Sequence, residues 1–220
     1  MDNPDAYEHH RLPRTPANQF RGHQIISDQV SRDDIALVWD ELEKVLRANV
    51  PGDVVEFGCY AGTTSLFIRR LLDETGQSGK RAFHVYDSFE GLPAKVAQDQ
   101  SAAGVDFEAG RLQVSKKAFL QEFHMAKLQV PVVHKGWFSD LGAADVPGQI
   151  AFAFLDGDFY DSILDSLKLV WTRMAAGGVV LIDDYARPEL PGVEKAVRDF
   201  FQAETVPRLR LAHNIAIIKV

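Results

Sequence analysis

The chain predicts an α/β fold: a doubly wound, Rossmann-like, mostly parallel sheet of seven strands with an antiparallel hairpin at its C-terminal end. Three observations carry this. Apolar runs such as Val54-Val55, Phe152-Ala153-Phe154-Leu155 and Val179-Val180-Leu181-Ile182 are continuous rather than alternating, as strands buried on both faces must be. Segments with 3.6-residue apolar spacing lie between such runs, so strands and helices alternate and right-handed crossovers follow. The last two runs, Arg208 to Ala212 and Ile215 to Val220, are separated only by His213-Asn214, which reads as a hairpin.

In chain order, residues 1–30 hold Pro4, Pro13 and Pro16 among polar residues without periodicity, an extended arm able to cover a site. From Ser31, with Asp34 three residues on, Ile35, Val38, Leu42, Val45 and Leu46 mark one helical face. Pro51-Gly52 turns the chain into a strand at Asp53 to Phe57. A tight turn spans Gly58 to Gly62, and a helix from Thr64 to Glu74 closes at Gly76. Ala82 to Tyr86 is the next strand. Residues 94–111 are a long polar loop of the kind that is functional or mobile. Ser115 to Lys127 is expected to be helical, Val130 to His134 and Ile150 to Leu155 to be strands, and Asp161 to Met174 to be an amphipathic helix stopped by Gly177-Gly178. Gly178 to Ile182 is a strand, and Val193, Ala196, Val197, Phe200 and Phe201 mark the last helix.

A chain of 220 residues with no Pro/Gly/Ser-rich linker is expected to form one domain over residues 31–220. A net charge of −7 supplies no Lys/Arg stripe for a phosphate backbone, which argues against nucleic acid. No apolar stretch approaches 18 residues and the N-terminus lacks a signal core, so a cytoplasmic protein without a membrane partner is expected. Cys59 is the only cysteine, which excludes an intrachain disulfide and a cysteine-based zinc site. It reads as a small residue filling a turn.

Chemistry gathers at the strand ends. Asp156-Gly157-Asp158 follows one buried run and Asp183-Asp184 the next. If the two strands are neighbours about 4.8 Å apart, Asp156 and Asp183 reach one cation and Asp184 adds a third oxygen. With oxygen donors only, Mg2+ is the best match, then manganese or calcium. Glu56-Phe57-Gly58-Cys59-Tyr60-Ala61-Gly62-Thr63-Thr64-Ser65 departs from the G-x-G-x-x-G dinucleotide pattern. A Gly-x-x-x-Gly turn after an acidic strand end suits S-adenosylmethionine, whose ammonium pairs with a carboxylate and whose carboxylate meets helix amides and hydroxyls. Asp87 at the next strand end fits the ribose hydroxyls of a nucleoside, with capping of the following turn, beside Ser88, as its competing role. Gly136, Trp137 and Phe138 suit an adenine ring or simple core packing. His124 and His134 are read as surface or packing residues.

These residues resemble a known family. Val54-Val55-Glu56-Phe57-Gly58, Asp87-Ser88-Phe89-Glu90-Gly91-Leu92-Pro93, Gly136-Trp137-Phe138, Leu155 to Ser162 and Ile182-Asp183-Asp184-Tyr185 are similar to successive signatures of the macrocin O-methyltransferases, in order from about Ser31 to Phe201. The resemblance implies a class I methyltransferase fold and Mg2+-dependent methylation, by S-adenosylmethionine, of hydroxyls on sugars, glycosides or catechol-like natural products. It implies metal ligands Asp156, Asp183 and Asp184, Asp158 as base, and cofactor contacts around Glu56, Gly58, Ser65, Asp87, Ser88 and Trp137. Tyr60, Gly62, Thr64, Gly136, Phe138 and Asp156 complete the expected cofactor site. Cys59-Tyr60-Ala61 stands where the family usually carries a bulkier Trp-Arg pair. The implied partner is a small-molecule hydroxyl acceptor, and a homo-oligomer is expected. Two other readings remain open: a methyltransferase-fold binding module without catalysis, and a nucleotide-dependent oxidoreductase, which the missing third glycine disfavours.

Overall fold

Helix α1 (Arg32–Arg47) starts at a capping box: Ser31 Oγ accepts from the Asp34 amide at 3.1 Å, and the Asp34 carboxylate accepts from the Ser31 amide at 3.3 Å. Its face of Ile35, Val38, Trp39, Leu42, Val45 and Leu46 is buried. The computed structural model describes residues 23–101, 107–202 and 208–220. Strand β1 (Asp53–Phe57) leads through the glycine turn to α2 (Thr63–Glu74), then β2 (Phe83–Asp87), α3 (Lys116–Met125) and β3 (Val132–Lys135). The second half runs β4 (Ile150–Leu155), α4 (Tyr160–Val170), β5 (Met174–Ile182), α5 (Pro191–Phe201) and the hairpin β6 (Leu209–Ala212)–β7 (Ile215–Lys219).

The seven strands lie in the order β3-β2-β1-β4-β5-β7-β6, with β7 antiparallel to both β5 and β6 and the remaining pairings parallel. The chain winds outward from β1 to β3 and returns to β4 beside β1, so the crevice between β1 and β4 is the topological switch point, where doubly wound folds bind ligands. Alternate strand residues serve opposite layers. Val54, Phe152, Phe154 and Leu181 pack with α1, α2 and α3. Val55, Phe57, Leu155, Val180 and Ile182 pack under α4 and α5. Burial on both faces is the physical origin of the continuous apolar runs.

The sequence reading extends the fourth helix too far. It ends at Val170, a single 3-10 turn covers Trp171–Arg173, and Met174 already pairs with Ile150 as the first residue of β5. Gly177-Gly178 lies inside that strand instead of stopping a helix. At Gly178 a β-carbon would stand 2.8 Å from the Ala175 carbonyl oxygen and 3.0 Å from that of Ala151, so the glycine serves close approach of β4. Both uses of glycine look alike in sequence.

Of the expected arm, residues 1–22 lie outside the described residues, while Ile25, Ile26 and Val30 pack against the layer of α1 and α2. Residues 102–106 of the long loop also lie outside. Its described part is tied down: Asp99, 2% exposed, accepts from the Tyr160 amide at 2.7 Å, and Ser101 donates to the Pro188 carbonyl at 2.7 Å.

A buried carboxylate joins the hairpin to α1. Glu41, 1% exposed, accepts from Arg210 Nη2 at 2.7 Å and from Lys44 Nζ at 2.8 Å. Arg210→Ala leaves that charge with only an exposed lysine, so a loss of about 2 kcal/mol is expected in denaturant unfolding. Arg210→Ala/Glu41→Leu should recover most of it, because the unpaired buried charge is then gone.

Candidate active site

The strand ends at the switch point are held in line by backbone bonds that continue the ladder. The Asp156 amide donates to the Phe57 carbonyl at 2.8 Å, the Asp183 amide to that of Leu155 at 2.9 Å, and the Gly58 amide to that of Tyr86 at 2.9 Å. Gly58 has φ +85°, and a β-carbon there would lie 1.9 Å from the Asp156 carbonyl oxygen, so no side chain can stand at this crossing. A crevice of about 830 Å3, counted to its open mouth, runs above these ends.

One half of the crevice is turn and aromatic. Gly58, Tyr60, Asp87, Ser88, Gly136, Trp137 and Phe138 line it. Asp87 uses one oxygen to accept from the amides of Cys59 (2.8 Å) and Tyr60 (3.3 Å) and the other to accept from Phe89 (2.6 Å). The expected capping role is therefore present, and it also fastens the glycine turn. Ser88 accepts from the Glu90 amide and donates to the Gly91 carbonyl. Phe138 meets Phe57 edge to face at 5.2 Å.

Glu56, Gly62, Thr64 and Ser65, expected as cofactor contacts, are buried and do not line the crevice. Glu56 is 1% exposed; one carboxylate oxygen accepts from Ser65 Oγ at 2.5 Å and the other, Oε1, has no partner. Burial pushes its carboxyl up to about 8, against the pull of Ser65 and with a further push from Asp87. Burial, then Asp87 and Glu56, also raise the Cys59 thiol, which is a poor nucleophile in consequence. His134 stacks on Tyr86 at 4.4 Å and shares a hydrogen bond with His84, away from the crevice, while His124 is exposed.

The other half is acidic. Asp156, Gly157, Asp158, Ser162, Asp183, Asp184 and Arg187 line it. Among the described residues, carboxylate oxygens of Asp156, Asp158 and Asp184 come within 4.8 Å of one another, a group able to hold a metal ion. Asp183 stands at the neighbouring strand end with one oxygen accepting from the Asp184 amide at 2.9 Å. Asp158 and Asp184 both adopt left-handed backbone, φ +58° and +57°, which aspartate tolerates better than most residues. Burial first, then mutual repulsion, raises Asp156 and Asp183 well above the usual carboxylate range and Asp158 to about 7; Arg187 offsets the rise at Asp158 and Asp184. Arg187 Nη1 donates to Asp184 at 3.0 Å.

Sequence reasoning did not find Arg187, Gln29, Phe107 or Leu112 in the crevice wall. Arg187 was accessible to it as a cation one helical turn after Asp184. The other three carry no pattern and arrive through the folding of loops.

The family model for macrocin-O-methyltransferase (TylF) matches residues 14–212. A tetracenomycin-type 4'-O-methyltransferase of Streptomyces olivaceus, acting by its name on 8-demethyl-8-(2,3-dimethoxy-alpha-L-rhamnosyl)-tetracenomycin-C, is 36% identical over 166 residues, 72% of this chain and 61% of that protein. The demethyldecarbamoylnovobiocin O-methyltransferase of Streptomyces niveus is 32% identical over 150 residues, 66% of this chain and 56% of that protein. The chain thus spans about three-fifths of the length of these relatives. Among solved structures, the O-methyltransferase NovP superposes with TM-score 0.72 at 27% identity, covering 86% of this chain and 80% of that one. CalS11, a calicheamicin methyltransferase, gives 0.70 at 21% identity over 100% and 94%, a likeness of fold.

The raised Glu56 carboxyl makes stability pH-dependent. An acid with its folded pKa near 8 and its unfolded value near 4.5 keeps its proton on folding, so its contribution is complete below about 4.5 and is lost as pH rises through 8. Glu56→Gln, which retains an acceptor for Ser65, should therefore melt higher than the parent at pH 9 and show no such gain at pH 5, in thermal scans of the ligand-free protein.

Proposed function

The chain belongs to the macrocin O-methyltransferase family, and from that premise we propose that it transfers the methyl group of S-adenosylmethionine to a hydroxyl of a small molecule. The acceptor class is a sugar, glycoside or catechol-like natural product, and residues 31–220 form the catalytic domain. The observation that carries this reading is the meeting, at one switch point, of an orphaned buried carboxylate beneath a glycine turn and a cluster of oxygen donors beside it.

The residues fit the donor. S-adenosylmethionine brings an electrophilic methyl on a sulfonium. Glu56 Oε1, buried and unpartnered, is a suitable acceptor for its ammonium group, since a charge-assisted bond there would relieve an unsatisfied buried oxygen. Asp87, already fixed by three amides, keeps one of its roughly four lone-pair sites, on Oδ1, for a ribose hydroxyl. Trp137 and Phe138 offer flat faces to the adenine, and Gly58 leaves room for close approach.

The residues fit a hard divalent cation as well. Four carboxylates face a single guanidinium in the acidic half, and the donors are all oxygen, which favours Mg2+. Asp156 and Asp184, both in the three-acid group, are assigned as its ligands, and Asp183, which stands outside that group at the neighbouring strand end, is assigned as the third on the family resemblance. A divalent ion bound there would neutralise these acids and lower the pKa of an acceptor hydroxyl. Asp158, within 4.8 Å of Asp156 and Asp184, is the base that receives the hydroxyl proton. The aromatic wall and the acidic turns would align oxygen, methyl carbon and sulfur, and that orientation supplies much of the rate.

Two substitutions separate the assigned roles. Asp183→Asn should weaken Mg2+ binding at least tenfold by calorimetry. Asp158→Asn should leave Mg2+ and S-adenosylmethionine affinities within about threefold while lowering kcat by about 100-fold or more. Asp156→Ala should abolish metal-stimulated turnover in a methylation screen over catechols, glycosides and diols. Full activity in chelator would overturn the metal assignment, and absence of S-adenosylmethionine binding would overturn the function.

A further inference from the structure

The N-terminal edge of the sheet, opposite the crevice, carries a second cavity. It holds about 700 Å3 counted to its open mouth and lies between α2, the turn entering β2 and the segment entering β3. Its wall contains three basic side chains, Arg69, Lys80 and Arg81, against one carboxylate, Asp53, in a chain whose net charge is −7. Asp53 is engaged: it accepts from the Ala82 amide at 2.8 Å, and its other oxygen lies 3.8 Å from His84 Nε2. Arg81 serves the scaffold through bonds from Nη1 to the carbonyls of Val50 (3.0 Å) and Gly52 (2.9 Å).

Arg69 is differently placed. Its side chain is 3% exposed and sits over the Phe83 ring at 5.7 Å. Its Nε and Nη1 are shielded from water and have no hydrogen-bond partner. The carboxylate paired with it, Asp73, is 3.9 Å away, 38% exposed, and already accepts from the Ser78 hydroxyl. A buried guanidinium so thinly paired carries a desolvation cost that its surroundings do not offset, and burial lowers its pKa accordingly. Lys80, in the same wall, has no ion-pair partner among the described residues.

We propose that this cavity binds a phosphate-type oxyanion, with Arg69 and Lys80 supplying the counter-charge and Ser78 and Gly79 completing the wall. A dianion suits the thinly paired Arg69 guanidinium and the Lys80 ammonium better than a single carboxylate does, and its oxygens can take donors from several directions. The site shares no residue with the methyl-transfer crevice and stands independently of that function.

Calorimetric titration of the full chain at constant ionic strength with inorganic phosphate, glycerol phosphate and acetate tests this. One phosphate per chain is expected, with acetate at least tenfold weaker and Lys80→Ala weakening phosphate about tenfold. Tighter binding of glycerol phosphate would assign the site to the phosphoryl group of a larger ligand; equal or weaker binding would assign it to the free ion. Arg69→Met removes the buried charge while keeping contact with Phe83, so it should fold, melt at or above the parent and lose the phosphate-induced rise in Tm. No saturable phosphate binding by the parent chain, acetate binding as tight as phosphate, or an unchanged affinity in Lys80→Ala would each overturn the proposal, whether or not Arg69→Met folds.

Discussion

The missing side chain at Gly58 lets the chain leaving β1 cross directly over the Asp156 carbonyl, and the geometry of the crevice follows from that crossing. Any β-carbon there would force β1 and β4 apart at the point where their ends must stay in register. With the crossing intact, the Asp156 and Asp183 amides each bond back to the neighbouring strand. Three strand ends then open on one level. The acids that follow them stand at the spacing of parallel strands, close enough to repel one another and to share a cation.

Such a concentration of carboxylates is unfavourable in the ligand-free fold. Burial pushes Asp156, Asp158, Asp183 and Asp184 upward, and repulsion from neighbouring aspartates adds to the rise at the first three; Arg187 opposes it at Asp158 and Asp184, and the Asp184 amide opposes it at Asp183. A scaffold buried on both faces sustains the arrangement, because β4 is buried along its whole length and β5 over Gly178 to Ile182, the stretch that leads into its acids. The turn that follows β1 is organised in the same economical way. One carboxylate, Asp87, satisfies amides on both sides of the β1–β2 crevice end, so the glycine turn is set before any ligand arrives.

Much of this was legible in the sequence, for identifiable reasons. Phe152 to Leu155 and Val179 to Ile182 are apolar without interruption because both sheet faces are covered, so their strand character and central position could be inferred together. Ser31 and Asp34 announced the start of α1 through a local capping box. The end of α4 was misjudged because Trp171 and Met174 continue the helical spacing by accident, while the pairing of Met174 with Ile150 is a long-range contact that no local window contains. Gln29, Phe107 and Leu112 were missed at the crevice for a related reason: loops carry no periodicity, and their docking is decided by what they meet.

The sequence by itself determined the alternation of strands and helices, the antiparallel hairpin and the presence of acids at strand ends, since each of these rests on local spacing and on burial that hydrophobic pattern encodes. Only the tertiary structure decided which acids share a space. Asp158 and Asp184 join Asp156 through left-handed turns, while Asp183 is drawn to the Asp184 amide. It also decided that Glu56 is sealed beneath the turn with one oxygen unpaired and that Arg69 is buried almost without a counter-charge. Desolvation and pairing depend on distances between residues far apart in the chain, and those distances exist only once the sheet has assembled.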